Sequence, residues 1–470
     1  MKVAVLALLV QIGRGFAPPR ASKPALRRAS VAFAVPAAAP AASTNGLARV
    51  VGGTAALVAI DEASRYGLRA AQLALPHSLV GGASIILVLT LLRSRGAAVH
   101  AKLLAPGAAL LLAWMPCFFA PALVALPLAP PLVSSAADAA KVLVVVLGGL
   151  LASLGMTLAL TAPLCDAAPA AAAAAPKKVP APRFGKAVEK PIAAATAACA
   201  ALLVGGCAAP QLQTAAPQLQ TAALGGATLL AYIGGKAFET GVSRMKPTPL
   251  SNLLKLAHPV VVCAALTTGV LRGVCAVTGL TTTAVTQLYV RSAGAALQRL
   301  LGPAVLALAC GIYARRADVA QNARAVAAAM VSGVACGLYG TALAARCIGL
   351  PLEARLALIP RCITTPLALA ICEAVPGTPR SAAVAIVVVT GVLGAAVGQG
   401  VLSMLEADRR PVARGLAMGA AAHGIGTAQL SNEAEAQPFA AISMSLVGAA
   451  SVICASLGPS RRLLLWLAGA

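Results

Sequence analysis

Three apolar stretches in the second half of the chain are interrupted by residues that can do chemistry. Between Arg414 and Gln429, His423 stands among Gly415, Gly419, Gly424 and Gly426, with Thr427 close behind. A histidine at membrane depth is costly, so a functional role is the default reading. Glycines there loosen the helix and expose peptide dipoles, which is tolerated only inside protein or along a cavity. A second segment, Pro360 to Pro366, combines two prolines with Arg361, Thr364 and Thr365. A third, Leu301-Gly302-Pro303-Ala304, joins a flexible residue to one without a backbone donor.

These residue types suit a small anion. Half-helix N-termini carry partial positive charge and bare N–H groups, which favour a carboxylate. Arg361 can grip a carboxylate in two-pronged geometry. Thr364, Thr365 and Thr427 can bond substrate hydroxyls. His423 can carry a coupling proton, because imidazole titrates near neutrality. Each has a plainer alternative. Arg361 can snorkel to an interface, the threonines can back-bond to helix carbonyls, and His423 can be a packing histidine. His77, His100 and His258 read as helix-end residues, Glu433 and Glu435 as loop charges, and Arg414 as a helix start.

The elements that must position these groups are helical and membrane-embedded. The chain is 59% apolar and 11% charged, with a mean hydropathy of +0.87. Several apolar runs reach about 18 residues or more, enough to cross a hydrocarbon core. No strand-period alternation argues for a barrel. An all-α polytopic membrane protein is expected, with about 12 transmembrane segments, several of them discontinuous. Paired Gly/Pro interruptions in the C-terminal block point to a transporter site and are compatible with inverted repeats.

Along the chain, residues 1–40 read as a signal plus transit peptide: Lys2, an apolar run Val3–Val10, Gly15-Phe16-Ala17, then Arg20, Lys23, Arg27 and Arg28 with no acid. This resembles a two-part plastid address. A first membrane block, 47–165, holds candidate helices at 48–73, 76–92, 102–126 and 139–162. Pro116 and Pro121 interrupt the third. Asp61 and Glu62 fall inside the first, either at its interfacial end or facing the bundle. Residues 166–190 are Ala/Pro/Lys-rich and expected to be a disordered linker. Connecting membrane segments follow in 191–249. Within them the heptapeptide Pro-Gln-Leu-Gln-Thr-Ala-Ala occurs at Pro210–Ala216 and again at Pro217–Ala223, which reads as a duplicated loop. The second block, 250–467, holds candidate helices at 258–277, 281–315 with a break, 323–350, 352–375, 382–405, 412–430 with a break, and 438–457.

The net charge of +24 is scattered through loops, which sets topology and anchors to anionic membrane lipid. No basic patch is interleaved with aromatics, so nucleic acid is not an expected partner. Twelve cysteines form no C-x-x-C pair, so neither a metal site nor a disulfide framework is indicated. No G-x-S-x-G, H-E-x-x-H or G-x-x-x-x-G-K-[ST] motif occurs. A carrier is expected rather than an enzyme, with no cofactor beyond a coupling proton.

Block two resembles the LrgB family. The matching runs are Leu301-Gly302-Pro303-Ala304 with Ala307 and Tyr313, Pro360-Arg361-Cys362-Ile363-Thr364-Thr365-Pro366-Leu367-Ala368, Val389-Thr390-Gly391-Val392-Leu393-Gly394, Ala413-Arg414-Gly415-Leu416-Ala417, and Ala422-His423-Gly424-Ile425-Gly426-Thr427-Ala428. Block one is more weakly similar to the LrgA partner, through Pro76-His77-Ser78-Leu79-Val80-Gly81 and Met115-Pro116-Cys117-Phe118-Phe119-Ala120-Pro121-Ala122. The fused form behind a plastid address resembles the family's plastid branch, as does Glu435-Ala436-Gln437-Pro438-Phe439. Thr365-Pro366 looks more like the bacterial branch. Ala421 stands where relatives commonly carry a small hydroxyl residue.

The resemblance implies a secondary carrier that exports glycolate and returns glycerate across the plastid inner envelope during photorespiration. A holin-like osmotic-stress factor and a carrier of pyruvate or another monocarboxylate are the rival readings. A carboxylate is expected against half-helix N-termini near Arg361–Thr365 and Gly424–Thr427, with Gly302 and Pro303 facing the same cavity. The backbone from Gly424 to Thr427, including Gly426, is the stronger candidate for a cradle than the imidazole. Assembly into a homo-oligomer is left open.

Overall fold

The computed structural model describes residues 44–71, 76–165, 216–243 and 259–470, except 119, 129–131, 134, 431, 432 and 434, together with 193, 194, 196–198 and 245. The expected N-terminal address, the linker 166–190, most of 191–209, His258 and nearly all of the first heptapeptide copy lie outside the described residues.

The described residues are helical, with no strand among them. In block one, α1 is Thr44–Ala70 and α2 is His77–Leu91. A short helix and a π turn at His100–Leu104 lead into α3, Ala105–Phe118. The last helix of the block is α4, Ala136–Thr161, whose N-cap Ser135 accepts the Asp138 N–H. Helix α5 is Ala216–Ser243 and α6 is Pro259–Thr278. A segment beginning with α7, Thr282–Tyr289, passes through a π turn and a short helix to α8, Leu301–Ala314. Next come α9 (Ala323–Val334), α10 (Leu352–Leu358), α11 (Thr365–Ala374), α12 (Arg380–Met404), α13 (Pro411–Gln429), α14 (Ala436–Ser456) and α15 (Gly458–Ala468).

Among these residues, seven helical stretches are long and apolar enough to cross a membrane. The other expected segments that fall within the described residues are shorter, more polar or broken. Two further readings change. The second heptapeptide copy is not a loop: Pro217–Ala223 forms the opening turns of α5. Proline is accepted at a helix start, and Gln, Leu and Ala are good helix formers. Stretch 352–375 is two helices, α10 and α11, separated by the non-helical residues 359–364.

The two blocks interlock. Tyr313 of α8 donates its hydroxyl to the Leu89 carbonyl of α2 at 3.2 Å. Ser332 of α9 donates to Thr157 Oγ1 of α4 at 2.9 Å. Leu150, Leu154 and Leu158 of α4 pack on Met418, Ala421 and Ala422 of α13. In lipid, apolar contact alone does not drive helices together, so close packing over small residues and interhelical hydrogen bonds must do it.

Helix α13 illustrates this. On one side, Gly415 and Gly419 let its backbone approach α14 until an added Cβ would collide with the Ala436 and Ala440 carbonyls. On the other, Gly394 and Gly398 of α12 make room for Ala422 and Met418. Ser443 donates to the Leu416 carbonyl at 2.8 Å. The helix start is clamped by Arg414, only 5% exposed, which grips both carboxylate oxygens of Glu433 at 2.7 and 3.0 Å.

Gly419→Ala should therefore destabilise the fold by about 1–3 kcal/mol, the usual cost of overpacking. Gly148 of α4 has nothing within 4 Å, so Gly148→Ala should be neutral or stabilising by up to ~1 kcal/mol. Unfolding midpoints of the two detergent-solubilised variants test the contrast. Equal midpoints would refute the close approach of α13 and α14.

Candidate substrate cavity

Two helix breaks shape the site. After α10 the chain runs without helix to Thr364, which caps α11 with φ −59° and ψ 140°. Pro366 in the first turn of α11 removes one N–H that the cap oxygen would otherwise accept. Thr364 forms no side-chain cap bond. Its hydroxyl is buried, at 3% residue exposure, and has no hydrogen-bond partner.

The second break is at His423, with φ 40° and ψ −145° in the middle of α13. Positive φ in a residue bearing a Cβ costs about 1–3 kcal/mol and persists only where the surroundings enforce it. Here Nε2–H donates to the Val387 carbonyl of α12 at 2.7 Å. The imidazole also lies on Gly391, where a Cβ would come within 2.5 Å of the ring. The break explains Thr427. A helical threonine ordinarily back-bonds to the carbonyl four residues earlier, as Thr390 does to Ile386 at 2.8 Å. For Thr427 that carbonyl belongs to His423, whose ψ has left the helical direction. The Thr427 hydroxyl is buried without a partner.

Both breaks open on one cavity of about 340 Å³. Thr364, Thr365 and Pro366 line it from α11, and His423, Gly424, Ile425 and Thr427 from α13. Leu112, Met115 and Pro116 of α3 close it from block one. Leu308 and Ile312 of α8 and Met444 of α14 complete an apolar wall. The chamber is thus mostly apolar, with hydroxyls gathered where the helices break and the N-terminus of α11 beside them.

Several expected site residues lie elsewhere. Gly426 faces inward against Ala422 and Met418. Gly302 abuts the Asp61 carboxylate, and Pro303 is buried in the first turn of α8; neither lines the cavity. Arg361 neither lines it nor snorkels. Fully buried, it donates from Nε to Thr341 Oγ1 at 2.9 Å and from Nη2 to Ser153 Oγ of α4 at 3.2 Å. Gly149 leaves the space for its guanidinium. It ties block one to the non-helical stretch before α11.

The cations at the cavity are Lys236 of α5 and Arg315 at the end of α8. Lys236 pairs with Glu239, also lining, at 2.6 Å, and Arg315 with Asp318 at 3.4 Å. None of Lys236, Glu239 and Arg315 belongs to the three interrupted segments that the sequence singles out. The available signal was a Lys-x-x-Glu pair, neighbours on a helix face, inside an apolar segment. Among the described residues, no group of three His, Cys, Asp or Glu side chains is placed to hold a metal ion.

Residues 228–459 match the family described as LrgB-like. The plastidal glycolate/glycerate translocator 1, chloroplastic, of Arabidopsis thaliana is 31% identical over 430 residues, covering 88% of this chain and 80% of that protein. The uncharacterized protein YxaC of Bacillus subtilis is 29% identical over 162 residues, covering 34% of this chain and 67% of its own. The antiholin-like protein LrgB of Bacillus cereus is 29% identical over 161 residues, covering 34% and 69%. No solved structure matches. Apolar helices and broad likeness to a chloroplast protein make this a multi-pass plastid membrane protein. Together the matched region and the long alignment through both blocks establish that the chain belongs to the LrgB family.

Proposed function

We propose that the chain is a secondary carrier, not an enzyme, moving small 2-hydroxy monocarboxylates, glycolate and glycerate, across the plastid inner envelope. The observation that carries this reading is the pair of buried, unpartnered hydroxyls, Thr364 and Thr427, meeting in one cavity at two helix breaks. A buried polar group without a partner costs about 1–3 kcal/mol. A carrier tolerates that cost because the substrate supplies the partner.

In this mechanism the carboxylate lies against the N-terminus of α11, where the helix dipole and bare N–H groups favour negative charge. Arg315, whose partner Asp318 lies outside the lining, adds positive potential, while Lys236 faces the cavity already paired with Glu239. One of the Thr364 and Thr427 hydroxyls donates to the carboxylate and the other bonds the 2-hydroxyl, and the backbone from Gly424 supports the far end. Block one and α5 form one wall and the broken helices the other, so rocking one wall against the other alternates access. The name of the Arabidopsis relative supports this substrate class. The antiholin-named relatives align with only a third of the chain, which leaves the holin-like reading weaker.

Proteoliposomes loaded with glycerate should accelerate uptake of labelled glycolate, with saturation. Flux that rises linearly with concentration and ignores internal glycerate would favour a holin-like leak, and preferential inhibition by pyruvate would shift the substrate class.

Thr427→Val and Thr364→Val should melt like the wild type, because no protein hydrogen bond is lost. Each should raise KM for glycolate about tenfold, in keeping with a hydrogen bond to a charged or polar ligand. An unchanged KM in both variants would remove the hydroxyls from the site.

A further inference from the structure

The Gly302-Pro303 break is not used by the cavity, and block one holds a buried acid beside it. Asp61 of α1 is 1% exposed. Its Oδ2 lies 3.4 Å from Arg65 Nη2 and 3.5 Å from His77 Nε2 of α2. Arg65 Nη2 is also 3.3 Å from His77 Nε2. Asp61 Oδ1 has no hydrogen-bond partner.

These distances set a conflict that a proton resolves. Arg65 can only donate, so Nε2 must accept to bond it. A carboxylate can only accept, so Nε2 must donate to bond Asp61. One ring nitrogen cannot do both. A proton on Asp61 Oδ2 lets the carboxyl donate to an accepting Nε2. A proton on Nε2 lets His77 donate to the carboxylate while Arg65 keeps only its contact with Asp61. The cluster therefore has two arrangements that differ in where a proton sits.

The surroundings supply a route and a lever. His77 is 29% exposed and Arg65 27%, and Arg65 also reaches the exposed Glu62 at 3.2 Å. From α1, then, Glu62 and Arg65 border Asp61, and from α2 His77 does. Helix α3 carries no charged side chain. The turn before it carries His100, in tilted ring contact with Tyr313, and Lys102, which is exposed. The first turn of α8 presents only Gly302, where a Cβ would collide with the Asp61 carboxylate. Helix α8 continues from this contact to Leu308, Ile312 and Arg315 at the cavity.

We propose that Asp61 and His77 form the proton-binding site that couples this carrier to a pH gradient, acting on the cavity through α8. The proposal rests on the carrier reading above. The proton enters at His77, is held between Nε2 and Oδ2, and leaves when α8 moves with the cavity walls; only N–H and O–H bonds are made or broken. Gly302 is required because the carboxyl must lie directly on the helix it biases.

The test uses the full chain in proteoliposomes. With one proton per substrate, a one-unit pH gradient should let the wild type accumulate glycolate about tenfold. Asp61→Asn should lose accumulation, giving a ratio near one, while still exchanging glycolate for glycerate at equal pH. Asp61→Asn accumulation equal to wild type, or a wild type that exchanges but ignores the gradient, overturns the proposal and leaves the carrier reading standing. A wild type that does not exchange overturns the carrier reading instead. A second readout covers a variant that fails to fold. Dicyclohexylcarbodiimide, which attacks protonated carboxyls in apolar surroundings, should label Asp61 of the wild type progressively less as pH rises, by mass spectrometry. Absent or pH-independent labelling of Asp61 overturns the proposal.

Discussion

A backbone break inside a membrane is possible only if the chain around it takes over the lost hydrogen bonds, and this constraint shapes the second block. At His423 the substitution is visible atom by atom. The break turns the His423 carbonyl away from Thr427, and the imidazole anchors itself on the Val387 carbonyl at 2.7 Å. That anchor needs Gly391 beneath the ring, and the closeness of α12 and α13 needs Gly394 and Gly398. The glycines of α12 and the strained histidine of α13 are thus one device. The device leaves one group unsatisfied, the Thr427 hydroxyl, and leaves it facing the cavity.

The break before α11 works differently and arrives at the same result. Pro366 withholds an N–H that a cap would use, and Thr364 stays uncapped and buried. Arg361 stabilises the stretch from behind through Thr341 and Ser153. A guanidinium in a membrane interior without a carboxylate partner is costly. Its bonds to two hydroxyls offset only part of that cost, and its Nη1 has no partner. The chain retains a charge where a neutral donor would serve the same hydroxyls, which makes the link from α4 to this break more than packing.

Much of this was legible in the residues. Long apolar runs located most of the helices, because membrane thickness fixes a minimum length that local sequence reports directly. Proline and glycine marked all three interrupted segments, since their backbone effects are local. Thr364, Thr365, His423, Gly424 and Thr427 could be grouped for that reason. What stayed hidden depends on reach and facing. Arg361 extends across a helix gap to Ser153, and no spacing within 360–366 encodes that direction. Asp61 and Glu62 are adjacent, yet one is buried and the other exposed, which follows from how α1 is rotated against α8. The closing helix α15 has no long apolar run to mark it, because Arg461 and Arg462 interrupt its hydropathy.

These hidden contacts bear on what block one is for. If it only shielded lipid, its inward residues would be apolar and interchangeable. Instead it supplies Leu112, Met115 and Pro116 to the cavity wall, Ser153 to the buried arginine, and Asp61 to the first turn of α8. Each contact meets a different part of block two: the chamber, the rear of a helix break, and the start of a cavity-lining helix. A scaffold would have little use for a buried carboxylate beside a histidine, because an apolar pair of similar shape packs without the desolvation cost. Fusing the blocks in one chain keeps the partners of these three contacts together in one-to-one ratio.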